Sequence, residues 1–191
     1  MKLKIGIICS GLLLFAISAA AQMAKPKEEH RSVTDILDHT VLNLEHEFVP
    51  AAEAMPEDKF GFAPTNGEFK GVRTYAEQIK HVAAVNYELG AALLEQKPPV
   101  DIGEESGPAS MTSKADIIKF LKESFVYVHK AIATINEQNL TGTVRSPFGE
   151  GMVSRLGLAS AVASHGDDHY GQMVEYLRMN GIVPPASRYG M

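Results

Sequence analysis

His165 and His169 lie four residues apart in a stretch with helical periodicity, so their side chains leave one helix face about one turn apart and can share a single ion. Neutral imidazole is the commonest protein ligand for first-row divalent metals. With seven histidines in 191 residues, such a spacing also arises by chance, and its context has to support it. The pair falls on a line formed by Val162, His165, His169, Met173 and Tyr176, one step off the main apolar stripe, which places it at the border of a core. Gly166 and Gly171 flank the line, and each costs up to about 1 kcal/mol relative to alanine inside a helix. That cost points to close approach by another helix or a ligand. His81 occupies a comparable border position in an earlier helix, beside Val82 and Val85. An ion held by three imidazoles keeps one or more open positions, the arrangement of a reactive site rather than a purely structural one.

The remaining candidates read less sharply. Asp167 and Asp168 could orient a ligand imidazole or act as a base, but their positions relative to His165 equally suit a solvated acidic patch. Gly166 stands where zinc proteases of the H-E-x-x-H type carry their glutamate base, which excludes that class. His129, one turn after Phe125, reads as a hydrogen-bonded histidine at the core edge before it reads as a cavity residue. His39 and His46 are seven apart beside Glu45 and Glu47 and read as a solvated face. Asn86 is an amide in an apolar stripe and needs partners.

Four helices are required to position these groups, separated by Pro- and Gly-rich connections. The first should open at Ser32 or Thr34 and run to about Met55, with Ile36, Leu37, Val41, Leu44 and Phe48 inward, and Pro56 closing it. Phe60 and Phe62, in a Gly/Pro/Asn-rich loop, should plug one end of the bundle. The second spans about Val72 to Gln96, with Val72, Tyr75, Ile79, Val82, Ala83, Asn86 and Leu93 inward, and Lys97-Pro98-Pro99 ending it. Residues 98–112 form a long crossing loop. The third begins near Ser113, capped by it, and buries Ile117 through Ile135. The fourth runs from roughly Gly151 to Asn180 on a stripe of Leu156, Ala159, Ala163, Tyr170, Val174 and Leu177, and Gly181 then Pro184-Pro185 stop it. No segment alternates long enough to make a strand. Four amphipathic helices, none able to bury its stripe alone, make an all-α four-helix bundle.

Residues 1–21 carry Lys2 and Lys4, an apolar run from Ile5 to Ile17 and then Ala19-Ala20-Ala21, the pattern of a cleaved signal peptide. The run is too short to span a bilayer, so no stable membrane span is expected after processing. Residues 22–31 read as a flexible charged N-terminus and residues 32–191 as the bundle. Export to the periplasm or the extracellular space follows. Processing leaves 170 residues and moves the net charge from −5 to −7, which argues against nucleic acid. The single cysteine, Cys9, leaves with the leader, so thiolate chemistry and disulfides are excluded from the mature chain.

The phrases Phe60-Gly61-Phe62-Ala63-Pro64 and Gly67-Glu68-Phe69, then His81 within a long helix, resemble the DinB-like superfamily. So does His165-Gly166-Asp167-Asp168-His169-Tyr170-Gly171-Gln172 leading to Gly181-Ile182-Val183-Pro184-Pro185. The likeness spans residues 32–188. It implies a DinB-like four-helix bundle with long crossover loops, commonly a homodimer. It also implies a nickel- or zinc-type site built from one histidine of the second helix and an H-x3-H pair of the last, which here are His81, His165 and His169. Characterised relatives include metal-dependent transferases that activate a low-molecular-weight thiol. The leader peptide sets this chain apart from them, because that thiol pool is cytosolic. The expectation is an exported protein binding one divalent transition metal, zinc or nickel first, and acting as a metal-dependent transferase or hydrolase on an unknown small-molecule substrate. The alternative is a non-catalytic bundle that binds a metal or small ligand.

Overall fold

The computed structural model describes residues 30–189. The expected leader at 1–21 and nearly all of the charged segment 22–31 lie outside the described residues. Four long helices dominate: α1 (Val33–Ala54), α2 (Tyr75–Leu93), α3 (Lys114–Ile132) and α4 (Arg155–Met179). Each starts where a side chain can take over an orphan backbone N–H of the first turn. Ser32 and Asp35 form a reciprocal capping box on α1, and Thr74 and Glu77 form one on α2. Ser113 caps α3 and Ser154 caps α4. Each cap is worth about 1 kcal/mol.

Two expected starts move inward. α2 begins at Tyr75 and not Val72, because Gly71 adopts a positive φ of 80° and the Thr74 cap follows it. α4 begins at Arg155 and not near Gly151, because Met152–Ser154 form a strand, β2, paired antiparallel with β1 (Thr143–Arg145). The registered pairs are Thr143 with Ser154, Val144 with Val153, and Arg145 with Met152. Strands of three residues are too short for alternation to register in sequence. The end of α4 is where the sequence placed it: Asn180 is the C-cap and Gly181 takes φ of 73°, the left-handed position that glycine accepts without strain.

The helices do not pack in chain order. α2 packs against α3 and α4, and α1 packs against α3 and α4, so the circuit around the bundle runs α1, α3, α2, α4. The consecutive pairs α1/α2 and α3/α4 face each other across diagonals, spanned by the α1–α2 connection at 55–74 and the α3–α4 connection at 133–154. The core between them holds Phe48, Tyr75, Ile79, Leu121, Phe125, Ile132, Met173 and Leu177. Phe60 and Phe62 close one end as expected, stacking edge-on against Tyr75 and Tyr176 at 5.7 and 5.6 Å. The Tyr75 hydroxyl donates to the Ala51 carbonyl at 2.6 Å, giving that buried group its partner.

Two residues assigned inward by periodicity point outward: Ile36 and Leu156 are exposed. On α4 the line Val162, His169, Met173 and Tyr176, assigned to the border, is itself buried. α4 lies between α1 and α2, so its inner face is wide and takes in polar positions that apolarity alone marks as peripheral.

Candidate metal centre

Because α2 and α4 are neighbours in the circuit, His81 meets His165 and His169. One ligand nitrogen from each lies within 4.8 Å of the others. The ring centroids form a near-equilateral triangle with sides of 5.0, 4.8 and 4.5 Å. Each pair of rings is tilted by 65 to 74°, so the three stand edge-on around a common point instead of stacking. His81 and His169 are buried and His165 is half-buried.

Gly166 explains how α4 comes close enough. A Cβ built there would lie 2.2 Å from Leu44 Cδ2 of α1, so the close approach expected at this glycine is real and is made by a helix. Gly171 is different. Nothing lies within 4 Å of a Cβ built there, and the expectation of close approach fails at that position.

Outer partners fix two of the rings. His81 Nδ1 lies 2.6 Å from the Glu105 carbonyl oxygen; a carbonyl only accepts, so Nδ1 carries the proton and Nε2 presents its lone pair. The carbonyl is delivered by a tight turn in which Gly103, Glu104, Glu105 and Gly107 all have positive φ, between 50 and 72°. For the two glutamates this conformation costs about 1 to 2 kcal/mol each. A Cβ on Gly103 would strike the Gly107 carbonyl oxygen at 2.2 Å, and one on Gly107 would lie 2.7 Å from Lys80 Cβ. The turn therefore closes on itself and clamps against α2 beside His81.

His169 is oriented by a longer chain. Its Nδ1 lies 2.6 Å from Gln78 Oε1, Gln78 Nε2 donates to Gln172 Oε1 at 2.8 Å, and Gln172 Nε2 donates to Asp168 Oδ2 at 2.9 Å. A carboxylate only accepts, and this sets the direction of both amides in turn. Gln78 must then present oxygen to His169, whose proton sits on Nδ1 and whose Nε2 faces the cluster. Asp168 thus acts on the cluster through two glutamines and not by touching a ring.

His165 Nε2 lies 3.1 Å from His81 Nε2. With His81 Nε2 deprotonated, His165 Nε2 donates to it in the metal-free protein. His165 Nδ1 is buried with no partner among the described residues. Burial, and then the mutual repulsion of the imidazoles, lowers His165 and His169 to about 4, and burial lowers His81 as well. All three are neutral at pH 7, the form that ligates metal. Three tetrahedral ligands at 2.0–2.1 Å from one ion would stand about 3.3 Å apart. The His81 and His165 pair is already near that spacing, and the widest separation, up to 4.8 Å, has to close by about 1.5 Å. The donor set and its geometry fit one divalent ion.

The other candidates separate from this cluster. His129 is not in its cavity. Its Nδ1 lies 2.5 Å from Asp38 Oδ1 and its Nε2 lies 3.1 Å from Glu45 Oε2, so it is a hydrogen-bonded histidine at the core edge. His39 and His46 are exposed, and so are Asp167 and Asp168. Asn86 is fully buried, and its amide donates to Ser124 Oγ at 3.2 Å.

Sequence reasoning missed Gln78, Gln172, the Glu105 carbonyl and Arg73, whose charge is felt by all three imidazoles. Only Gln78 carried a signal, since it sits three residues before His81 on the same helix face. It also missed Glu88, one oxygen of which is buried without a partner and whose carboxyl burial holds above its ordinary pKa. Glu88 lines a mainly apolar cavity of about 610 Å³ with Ala91, Ala92, Val100, Ile102 and Arg145. None of the three histidines lines that cavity.

The same architecture recurs in solved structures. A DinB-like protein from Bacillus cereus ATCC 10987 superposes with a TM-score of 0.64 at 12% identity, over 82% of this chain and 98% of that one. The YjoA DinB-like protein of Bacillus subtilis gives 0.58 at 16%, over 76% and 92%. YfiT from Bacillus subtilis, described as a probable metal-dependent hydrolase with an unusual four-helix bundle topology, gives 0.59 at 16%, over 83% and 94%. At these identities the likeness is one of fold. No curated protein matches the sequence. The sequence itself matches the DinB superfamily over residues 42–173, from α1 to Met173 beyond the histidine pair. With that match covering more than half of its length, the chain belongs to the DinB superfamily.

Proposed function

We propose that His81, His165 and His169 hold one divalent metal ion, with zinc or nickel first, and that the protein is a metal-dependent hydrolase or transferase acting on a small molecule. The observation that carries this is the convergence of three neutral imidazoles, two of them locked by outer hydrogen bonds so that Nε2 faces the common point. Such a locked outer contact is the usual companion of a ligating histidine. The description of YfiT as a probable metal-dependent hydrolase supports the same reading. A divalent ion held by three imidazoles retains an open position, from which it supplies Lewis acidity to a substrate oxygen or lowers the pKa of water or a substrate heteroatom. The chain's own part is to keep the three rings neutral, aimed and close, in a site that largely excludes water.

The test is metal analysis of the purified protein, then zinc and nickel titration of the chelated form. Activity screening on esters, amides and thiol acceptors would follow, with and without metal. One ion per chain and metal-dependent turnover are expected. A chelated protein that takes up neither metal sinks the proposal.

One observation favours a second reading, a bundle that binds metal or a small ligand without turnover. Asp168, the carboxylate nearest the pair in sequence, is committed to Gln172 and is not aimed at the cluster as a base. Metal binding without turnover on any of these substrate classes would select this reading.

Export belongs to the same proposal and rests on residues 1–21. Expression in a bacterial host, fractionation and N-terminal sequencing of the mature chain should find the protein outside the cytoplasm and starting near Gln22.

A further inference from the structure

Beside the histidine cluster lies a cavity of about 650 Å³ lined by Arg73, Glu77, Lys80, Gly103, Ser106 and Gly107. It adjoins the cluster through two covalent neighbours: Lys80 precedes His81, and Ser106 follows Glu105, whose carbonyl holds the His81 ring. We propose that Arg73, assisted by Lys80, is the subsite for an anionic group, a carboxylate or a phosphate, on the small molecule handled at the histidine centre. This deepens the metal-site reading and rests on it.

Arg73 is mounted rigidly. Gly71 turns the chain with φ of 80°, Val72 N–H donates to the Phe69 carbonyl, and Thr74 caps α2. From the other side, the Tyr176 hydroxyl of α4 donates to the Arg73 carbonyl at 3.1 Å. The backbone is pinned between the loop and α4, while the guanidinium makes no hydrogen bond or ion pair among the described residues.

Lys80 is likewise without a carboxylate partner. Its Nζ is steered by the Pro108 and Met111 carbonyls at 3.2 and 3.4 Å. Two acidic groups bear on the balance. Glu77 is occupied by its helix cap, accepting from Thr74 N–H at 2.7 Å and Thr74 Oγ1 at 2.9 Å. Glu105 belongs to the turn beside the cavity but is not among the residues that line it. Glu77 keeps its charge while it caps the helix, so the lining sets two cations, Arg73 and Lys80, against one carboxylate and stays net positive; a planar guanidinium is matched to carboxylate and phosphate by its two parallel donors.

The experiment is an amide-resolved NMR titration of the chain, first chelated and then zinc-loaded, with inorganic phosphate and separately with acetate, using neutral acetamide as control. Saturable shifts confined to residues 71–74, Lys80 and 103–107 are expected with at least one anion. They should weaken at least tenfold in Arg73→Met while zinc uptake stays intact. Shifts scattered over the surface, shifts equal with acetamide, or an unchanged affinity in Arg73→Met would overturn the anion subsite. The zinc titration is read separately at the imidazole resonances. Its failure would remove the metal centre and, with it, the claim that this subsite serves one, even if phosphate still bound at Arg73.

Discussion

Two histidine sites on opposite sides of one bundle show what separates a structural imidazole from a prospective ligand. On the α1/α3 side, His129 has a carboxylate on each ring nitrogen, Asp38 on one and Glu45 on the other. Nothing is left over for an ion. On the α2/α4 side no carboxylate touches the rings. The outer contacts of His81 and His169 are a peptide carbonyl and an amide oxygen, and their Nε2 atoms are turned toward one another's neighbourhood. Burial alone does not make the distinction, since His129 is half-buried as His165 is. What differs is whether the second nitrogen has already been used, and that follows from which elements the fold makes adjacent.

The comparison breaks most visibly under substitution of the rings themselves. His169→Ala should lower zinc affinity by at least about 100-fold, as expected for loss of one of three protein ligands. His129→Ala should leave zinc affinity within twofold and cost about 1 kcal/mol of stability, since its contacts are partly solvated. Isothermal titration with zinc and urea unfolding read the two effects. Equal zinc affinities in the two variants would erase the distinction.

The outer contacts come next. Gln78→Leu removes the acceptor that keeps the His169 proton on Nδ1, and should cost roughly 10- to 100-fold in metal affinity. Nitrogen shifts of the His169 ring should show a rise in the Nε2–H tautomer, a change that simple loss of packing would not produce.

The acid response of the metal-free protein sharpens the contrast further. His165 and His169 fall from an ordinary 6.5 when unfolded to about 4 when folded. The unfolded chain therefore binds protons first as the pH drops. This contribution to stability is complete above about pH 6.5 and is lost as the pH falls through about 4. Urea unfolding of the chelated protein across this range should show the decline, and it should shrink in a His165→Ala/His169→Ala double variant. A stability profile unchanged by that variant would contradict the burial of neutral imidazoles.

The smallest effects concern the two glycines of α4. Gly166→Ala drives a methyl against buried Leu44, an overpacking of about 1 to 3 kcal/mol set against up to about 1 kcal/mol of helix propensity gained. A net loss is expected, at about 2 to 4 °C of Tm per kcal/mol. Gly171→Ala meets open space and should be stabilising by up to about 1 kcal/mol. Thermal melts of the pair test whether helix contact or ligand access explains Gly166.

Much of the fold was written in local signals. The caps at Ser32, Ser113 and the Asn180-Gly181 stop act within a few residues of themselves, and so the helix ends near them were readable. The β1/β2 pairing was not, because three-residue strands leave no period. The identity of the buried line on α4 was also hidden, since it depends on which two helices flank it.

For the site, spacing named His165 and His169, because an i,i+4 pair on a helix must share a face, and the resemblance to the DinB-like superfamily added His81 as their partner. The sequence by itself determined that two imidazoles stand together, that residues 30–189 carry no thiol to compete with them, and where the helix carrying the pair stops. Only the tertiary structure decided that the circuit runs α1, α3, α2, α4, which brings α2 beside α4 and His81 to the pair, and sends His129 to Asp38 and Glu45. It alone aimed Glu105 and Gln78 at the rings. The physical reason is range: caps and periodicity act over one or two helical turns, whereas the outer contacts join residues 24 and 91 positions apart, whose meeting is fixed by packing the whole bundle.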